Sequence, residues 1–199
     1  MLRKIVKRCW GMLGLLLMLA LFCSFQGTTA LMLIVAASFL HETAHLLVLW
    51  ALGGRVSFLS ASSNGLQICA DSLGISYFRE SMAVLAGPVV NIAAGVCLSA
   101  LSSSWPDLTA AAGANWVLGL FNLLPAAPLD GWRFLQLLLC WRLGPVGGAR
   151  AAALCGGICG AFLSAGLLLL MIYSGGNLWL LPTAVAVAAA GMRVFREEL

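Results

Sequence analysis

Charge is what this sequence has least of. Of its 199 residues only 9% are Asp, Glu, Lys or Arg, whereas 62% are apolar and the mean hydropathy is +1.01. A soluble domain carries about 25% charged residues. The chain has too little polar surface to coat a water-soluble globule, and it is too apolar to stay disordered. Histidine is scarcer still, with two residues, His41 and His45. The seven cysteines (Cys9, Cys23, Cys69, Cys97, Cys140, Cys155 and Cys159) form no CxxC pair. Most lie in apolar runs, where a reduced thiol packs as a small hydrophobe. Internal repeats, proline-rich linkers and low-complexity segments are all missing, and no length is left for a separate soluble domain. Composition therefore predicts a single domain over 1–199, an all-α polytopic membrane protein.

What is present is a series of long apolar runs. A helix crosses the bilayer core with roughly 20 apolar residues. Windows of that width predict about six transmembrane helices, near 10–26, 29–53, 81–101, 108–125, 148–173 and 177–195. The basic stretch Arg3, Lys4, Lys7 and Arg8 before the first is signal-like. Phe22 beside Cys23 excludes a lipoprotein site, and Thr28-Thr29-Ala30 is a poor cleavage site, so an uncleaved anchor is expected. With both termini cytoplasmic, the outer loops 26–28, 102–107 and 174–176 hold no lysine or arginine, and all eleven basic residues fall inside. The positive-inside bias selects this multi-pass cell-membrane topology. The net charge of +4 is a by-product of it and points to no nucleic-acid partner. Between the second and third spans, Arg55–Ser60 and Leu66–Ala70 read as short strands of a small β-hairpin turning at Asn64-Gly65. This stretch is either an inner loop or a small sheet whose edge takes a substrate strand.

The chemistry concentrates at two places. His41-Glu42-Thr43-Ala44-His45 lies inside the second span. Positions i and i+4 of a helix face the same way, so both imidazoles reach one metal ion. Glu42, next to the first of them, can deprotonate a metal-activated water. Such groups are costly at membrane depth unless paired or metal-bound. A zinc hydrolase site needs a third protein ligand, here a carboxylate or thiolate. Asp71 and Glu80 lie in the inner loop, Asp107 in an outer loop, and Glu197 and Glu198 in the tail. Asp130 stands apart, in Asn122-Leu-Leu-Pro125-Ala-Ala-Pro128-Leu-Asp130-Gly131. Two prolines there stop regular helix and open the backbone, which membranes tolerate only beside protein or a water-filled cavity. Trp132 to Arg142 is expected along the inner interface. The Gly156–Gly160 spacing beside Cys155 and Cys159 reads as close helix packing.

With these motifs placed, the sequence resembles the site-2 protease family of intramembrane zinc metalloproteases. HETAH at 41–45, NLLPAAPLDG at 122–131 and Ala86-Gly87-Pro88-Val-Val-Asn91 carry the resemblance, which covers a catalytic core of about 30–135. The compact layout looks most like the stage IV sporulation FB-type branch, without its nucleotide-sensing CBS domain and without the PDZ domain of other members. Trp132 stands where members often have a second glycine. The resemblance implies one Zn2+ per chain held by His41, His45 and Asp130, with Glu42 as general base. It implies that Asn122 positions substrate or stabilises the oxyanion. Asn91 reads as a second substrate contact or as an interhelical hydrogen bond.

The expected activity is hydrolysis of a transmembrane or membrane-associated protein segment in the cytoplasmic half of the bilayer, as in regulated intramembrane proteolysis. Transcription-factor precursors, anti-sigma factors and remnant signal peptides all fit as substrates, and an inhibitory membrane partner is left open. Competing readings are a metal transporter or sensor, a membrane HExxH protease with a later glutamate as third ligand, and a non-catalytic relative acting as a binding partner.

Overall fold

The computed structural model describes residues 28–53, 55–62, 65–71, 76–175, 178 and 180–198, with backbone alone for 55–62, 65–71 and 197–198. Among the described residues six helices follow from the local sequence. Thr28–Ala51 (α1) contains neither glycine nor proline, so nothing interrupts its ladder. It stops where Gly53 adopts φ +85°, a conformation open to glycine. Tyr77–Leu101 (α2) starts at Ser76, whose hydroxyl accepts from the Arg79 N–H at 3.4 Å. Glu80 lies in its first turn, where the helix dipole favours an anion. Leu108–Asn122 (α3) gives way to an irregular turn, and Asp130–Leu143 (α4) runs to Gly144 at φ +81°. Pro145, with its fixed φ, opens Pro145–Tyr173 (α5), and Leu180–Glu198 (α6) follows.

α2 is the hub, packed against α1, α3 and α4, while α5 rests on α4 and carries α6. Small residues let the backbones approach. A side chain at Gly119 of α3 would meet the Pro88 carbonyl of α2 at 3.1 Å, and one at Gly148 would run into the Cys140 backbone of α4. The faces turned away from these contacts are apolar and open: Phe39 is 73% exposed and Phe162 77%. In water such surfaces would aggregate; in lipid they are matched by the solvent.

The expected architecture needs correction. The class is all-α, but among the described residues three helices, α1, α2 and α5, are long and apolar enough to cross a membrane, in place of six. The expected first span, 10–26, lies outside the described residues. The expected span at 108–125 is cut short, because α3 ends at Asn122 after 15 residues. That length is about 22 Å of helix, short of a bilayer core of about 30 Å. The last, α6, is 19 residues long but carries Arg193, Arg196, Glu197 and Glu198 in its final turns. Hydropathy windows count apolar residues and do not register where a helix stops. Nor, among the described residues, is there a β-sheet layer beyond a single pair of strands. Residues 55–71 make a two-stranded antiparallel ribbon, Arg55–Ser62 (β1) with Gly65–Asp71 (β2). Ser62 stands opposite Gly65, so Gly65 belongs to the ladder and not to the turn in which it was expected.

Candidate metal centre

The helical spacing of α1 brings its two imidazoles together, with Nε2 of His45 3.1 Å from Nε2 of His41 and the rings nearly perpendicular. The third member arrives from the break after α3. Asn122 ends that helix, and the Leu123 and Leu124 N–H groups bond three residues back, to Leu120 and Phe121. Pro125 and Pro128 have no N–H to continue the ladder. Gly131 then lets α4 start directly against the end of α3: a Cβ there would collide with the Leu123 carbonyl and lie 2.7 Å from that of Leu124. This fold-back delivers Asp130 to the histidines. Its Oδ2 lies 2.9 Å from His41 Nε2 and 3.3 Å from His45 Nε2.

The three donor atoms fit a zinc ion. Bonds of about 2.0–2.1 Å at tetrahedral angles hold donors about 3.3 Å apart, close to the 2.9–3.3 Å found here. Two imidazoles and a carboxylate are also a hydrolytic zinc ligand set that leaves a position open. α2 closes one side of the cluster with bare backbone. A Cβ on Gly87 would clash with His45 Nε2 and lie 2.7 Å from His41 Nε2. The side chain of Asp130 keeps 25% of its surface exposed against 6% for His41, so access is from the α4 side. Glu42, half-buried, lies within electrostatic reach of His41, His45 and Asp130 and has no hydrogen-bond partner among the described residues.

Outer contacts set which ring nitrogen faces the cluster. His45 Nδ1 lies 2.8 Å from the Ala83 carbonyl of α2, which can only accept, so Nδ1 carries the proton and Nε2 presents its lone pair. For His41 the partner is Asn91 Oδ1, 3.2 Å from Nδ1. Asn91 is completely buried. Its amide bonds to His41 of α1, to the Ala37 carbonyl of α1 and to Asn115 of α3, which are the interhelical hydrogen bonds expected as one of its two readings. Asn115 of α3, buried in the same place, was not singled out in the sequence. Its signal was available: an amide in an apolar helix is costly without a partner.

Other expected residues sit elsewhere. Asn122 bonds back to the Leu118 carbonyl of its own helix at 3.0 Å. Glu80, weighed as a ligand, instead takes Arg133 of α4 at 2.6 Å, pinning α2 to the helix that begins with Asp130. Asp107 is exposed just before α3, and Asp71 ends β2. Gly156 of α5 faces the Trp132 indole, which donates to the Ala152 carbonyl at 3.0 Å, so this glycine serves packing.

No protein-family profile matches the chain. A curated zinc metalloprotease of Methanocaldococcus jannaschii is 34% identical over 76 residues, covering 35% of this chain and 22% of the relative. The match thus spans less than a quarter of that protein's length. Among solved structures, the site-2 protease from Methanocaldococcus jannaschii superposes with a TM-score of 0.68 at 25% identity, over 93% of this chain and 87% of that one. Both similarities support the site-2 protease family and a membrane metalloprotease, in agreement with the His-His-Asp group.

Proposed function

We propose that this chain is an intramembrane zinc metalloendopeptidase of the site-2 type, cleaving a transmembrane or membrane-associated protein segment in the cytoplasmic half of the bilayer. The convergence of His41, His45 and Asp130 beside Glu42 carries the reading. These three residues hold one Zn2+ per chain. When bound, the ion supplies a Lewis acid and lowers the pKa of water toward about 7.

The chain's own groups do the rest. Glu42 takes the proton of the attacking water on a carboxylate oxygen and delivers it to the leaving amide nitrogen. Asn122 exchanges its bond to Leu118 for the substrate and steadies the developing oxyanion. His41 and His45 lie ten and six residues before the end of α1 at Ala51, or about 15 and 9 Å along the helix. With the amino terminus cytoplasmic and the expected span at 10–26 crossing before it, α1 runs inward and that depth is the inner half of the bilayer. A helical substrate hides its carbonyls in its own ladder, so the segment unwinds before cleavage and pairs as a strand with the 55–70 hairpin or with the irregular turn at 122–128. Helix breakers added to a slow substrate should then speed its hydrolysis; an unchanged rate would remove unwinding as the limiting step. The substrate class is a membrane-tethered precursor, an anti-sigma factor or a remnant signal peptide. Placement in the sporulation branch rests on motif layout alone.

An ion carrier needs successive ligand sets across the membrane. Among the described residues one group qualifies, the one already named. The test is zinc content measured beside cleavage. Glu42→Gln should keep zinc and lose at least about a thousandfold in rate, and Asp130→Ala should lose both. Undiminished cleavage by Glu42→Gln would overturn the proposal.

A further inference from the structure

A chain of directed hydrogen bonds runs from the backbone of α3 to His41. Asn115 Nδ2 donates to the Ala111 carbonyl at 2.9 Å, and since that carbonyl can only accept, the Asn115 amide is fixed with Oδ1 on its other side. Oδ1 accepts from Asn91 Nδ2 at 3.2 Å. The second Nδ2 hydrogen of Asn91 goes to the Ala37 carbonyl of α1, also at 3.2 Å. With both amide hydrogens taken by oxygens, Asn91 has only Oδ1 left to turn toward His41 Nδ1, which lies 3.2 Å away. An oxygen accepts, so Nδ1 holds the ring proton. The opposite nitrogen, Nε2, which faces Asp130 and His45, is left with its lone pair.

Burial gives this relay its force. Asn91 is 0% exposed and Asn115 6%, and no buried side-chain nitrogen or oxygen among the described residues lacks a partner. Flipping the Asn91 amide would set its oxygen against two others, while removing Asn115 would leave an N–H with neither water nor protein to bond. We infer that Asn115 is a positioning residue of the metal centre: through Asn91 it holds His41 in the ring orientation and tautomer whose Nε2 binds the ion. α3 then serves the site twice, presenting Asn115 from its middle and Asp130 from the break at its end. The inference rests on the metal reading proposed above, though not on peptide hydrolysis.

Cobalt binding tests it in the full-length protein. Metal-free protein in detergent is titrated with Co2+ against a competing chelator, with the visible d–d absorption and thermal unfolding recorded. Asn115→Leu, nearly the same shape but without the acceptor, should bind Co2+ about tenfold more weakly. Its d–d band should change shape. Asn115→Asp keeps an oxygen toward Asn91 and, protonated, a donor toward Ala111, so it should bind as the unaltered protein does. Should Asn115→Leu fail to fold, Asn115→Ala removes the same acceptor without bulk and carries the same expectation. Unaltered affinity and spectrum in a folded Leu or Ala variant overturn the inference. So does a folded Asn115→Asp that binds as weakly as Asn115→Leu. If unaltered protein and His41→Ala bind cobalt equally, the metal reading itself falls, and the inference with it.

Discussion

The four helices α1 to α4 and the pair α5–α6 solve the same packing problem by different means. In the first group close approach, as of Gly119 to Pro88, is joined by polar contacts: His41, Asn91 and Asn115 are buried, and each is bonded across to a neighbouring helix. In the second the contacts are small and apolar, with Gly157 against Gly191 and Gly160 against Val187, and one buried hydroxyl, Ser164, bonded to the Ala184 carbonyl. Lipid offers no hydrophobic drive for helices to associate, and close backbone approach suffices. Buried polar side chains are therefore not needed to hold the fold. They gather around the group that could hold a metal ion, His41, His45 and Asp130.

Glycine substitutions expose the contrast most sharply. Gly131→Ala drives a methyl into the carbonyls of Leu123 and Leu124, which cannot yield as a flexible side chain can. It should abolish zinc binding and cleavage, as measured by metal content and product formation. Gly87→Ala sets a methyl against both ligand nitrogens. It should lower zinc affinity at least about tenfold, by displacing the imidazoles from their second contacts, with a smaller change in unfolding temperature. At the seam between the two regions, Gly156→Ala on α5 meets the Trp132 indole of α4. It should cost about 1–3 kcal/mol of stability while zinc content stays at one per chain. Gly157→Ala would find Phe195 at 3.5 Å, an ordinary contact, and should change stability by no more than about 0.5 kcal/mol. Ser164→Ala, losing one interhelical hydrogen bond, belongs at the same end, with about 0.6 kcal/mol. Equal zinc loss from Gly87→Ala and Gly157→Ala would erase the distinction between the two regions.

What the sequence made legible follows the same division. His41, Glu42 and His45 stand out because four-residue spacing on a helix is local geometry, and no other histidine competes. Asp130 stands out because two prolines announce a break where the backbone must turn. What crosses between helices is hidden. Asn91 looks as fit for a substrate as for a histidine until α1 and α2 are seen face to face, and Asn115 carries no motif of its own. The helix count was misread for a related reason. Residues 108–125 are apolar enough to span, yet the helix stops at Asn122, ahead of Pro125 and Pro128, and Gly131 packs against the Leu123 carbonyl. A hydropathy window counts apolar residues and does not register that stop.

The account depends on a cation held by two imidazoles from α1 and the carboxylate that opens α4. X-ray absorption at the zinc edge of the purified full-length protein tests this most directly. It should show nitrogen and oxygen neighbours alone at about 2.0–2.1 Å with the outer scattering of two imidazole rings. A sulfur neighbour at about 2.3 Å, bringing one of the seven cysteines into the shell, or a spectrum unchanged in His41→Ala, would contradict it.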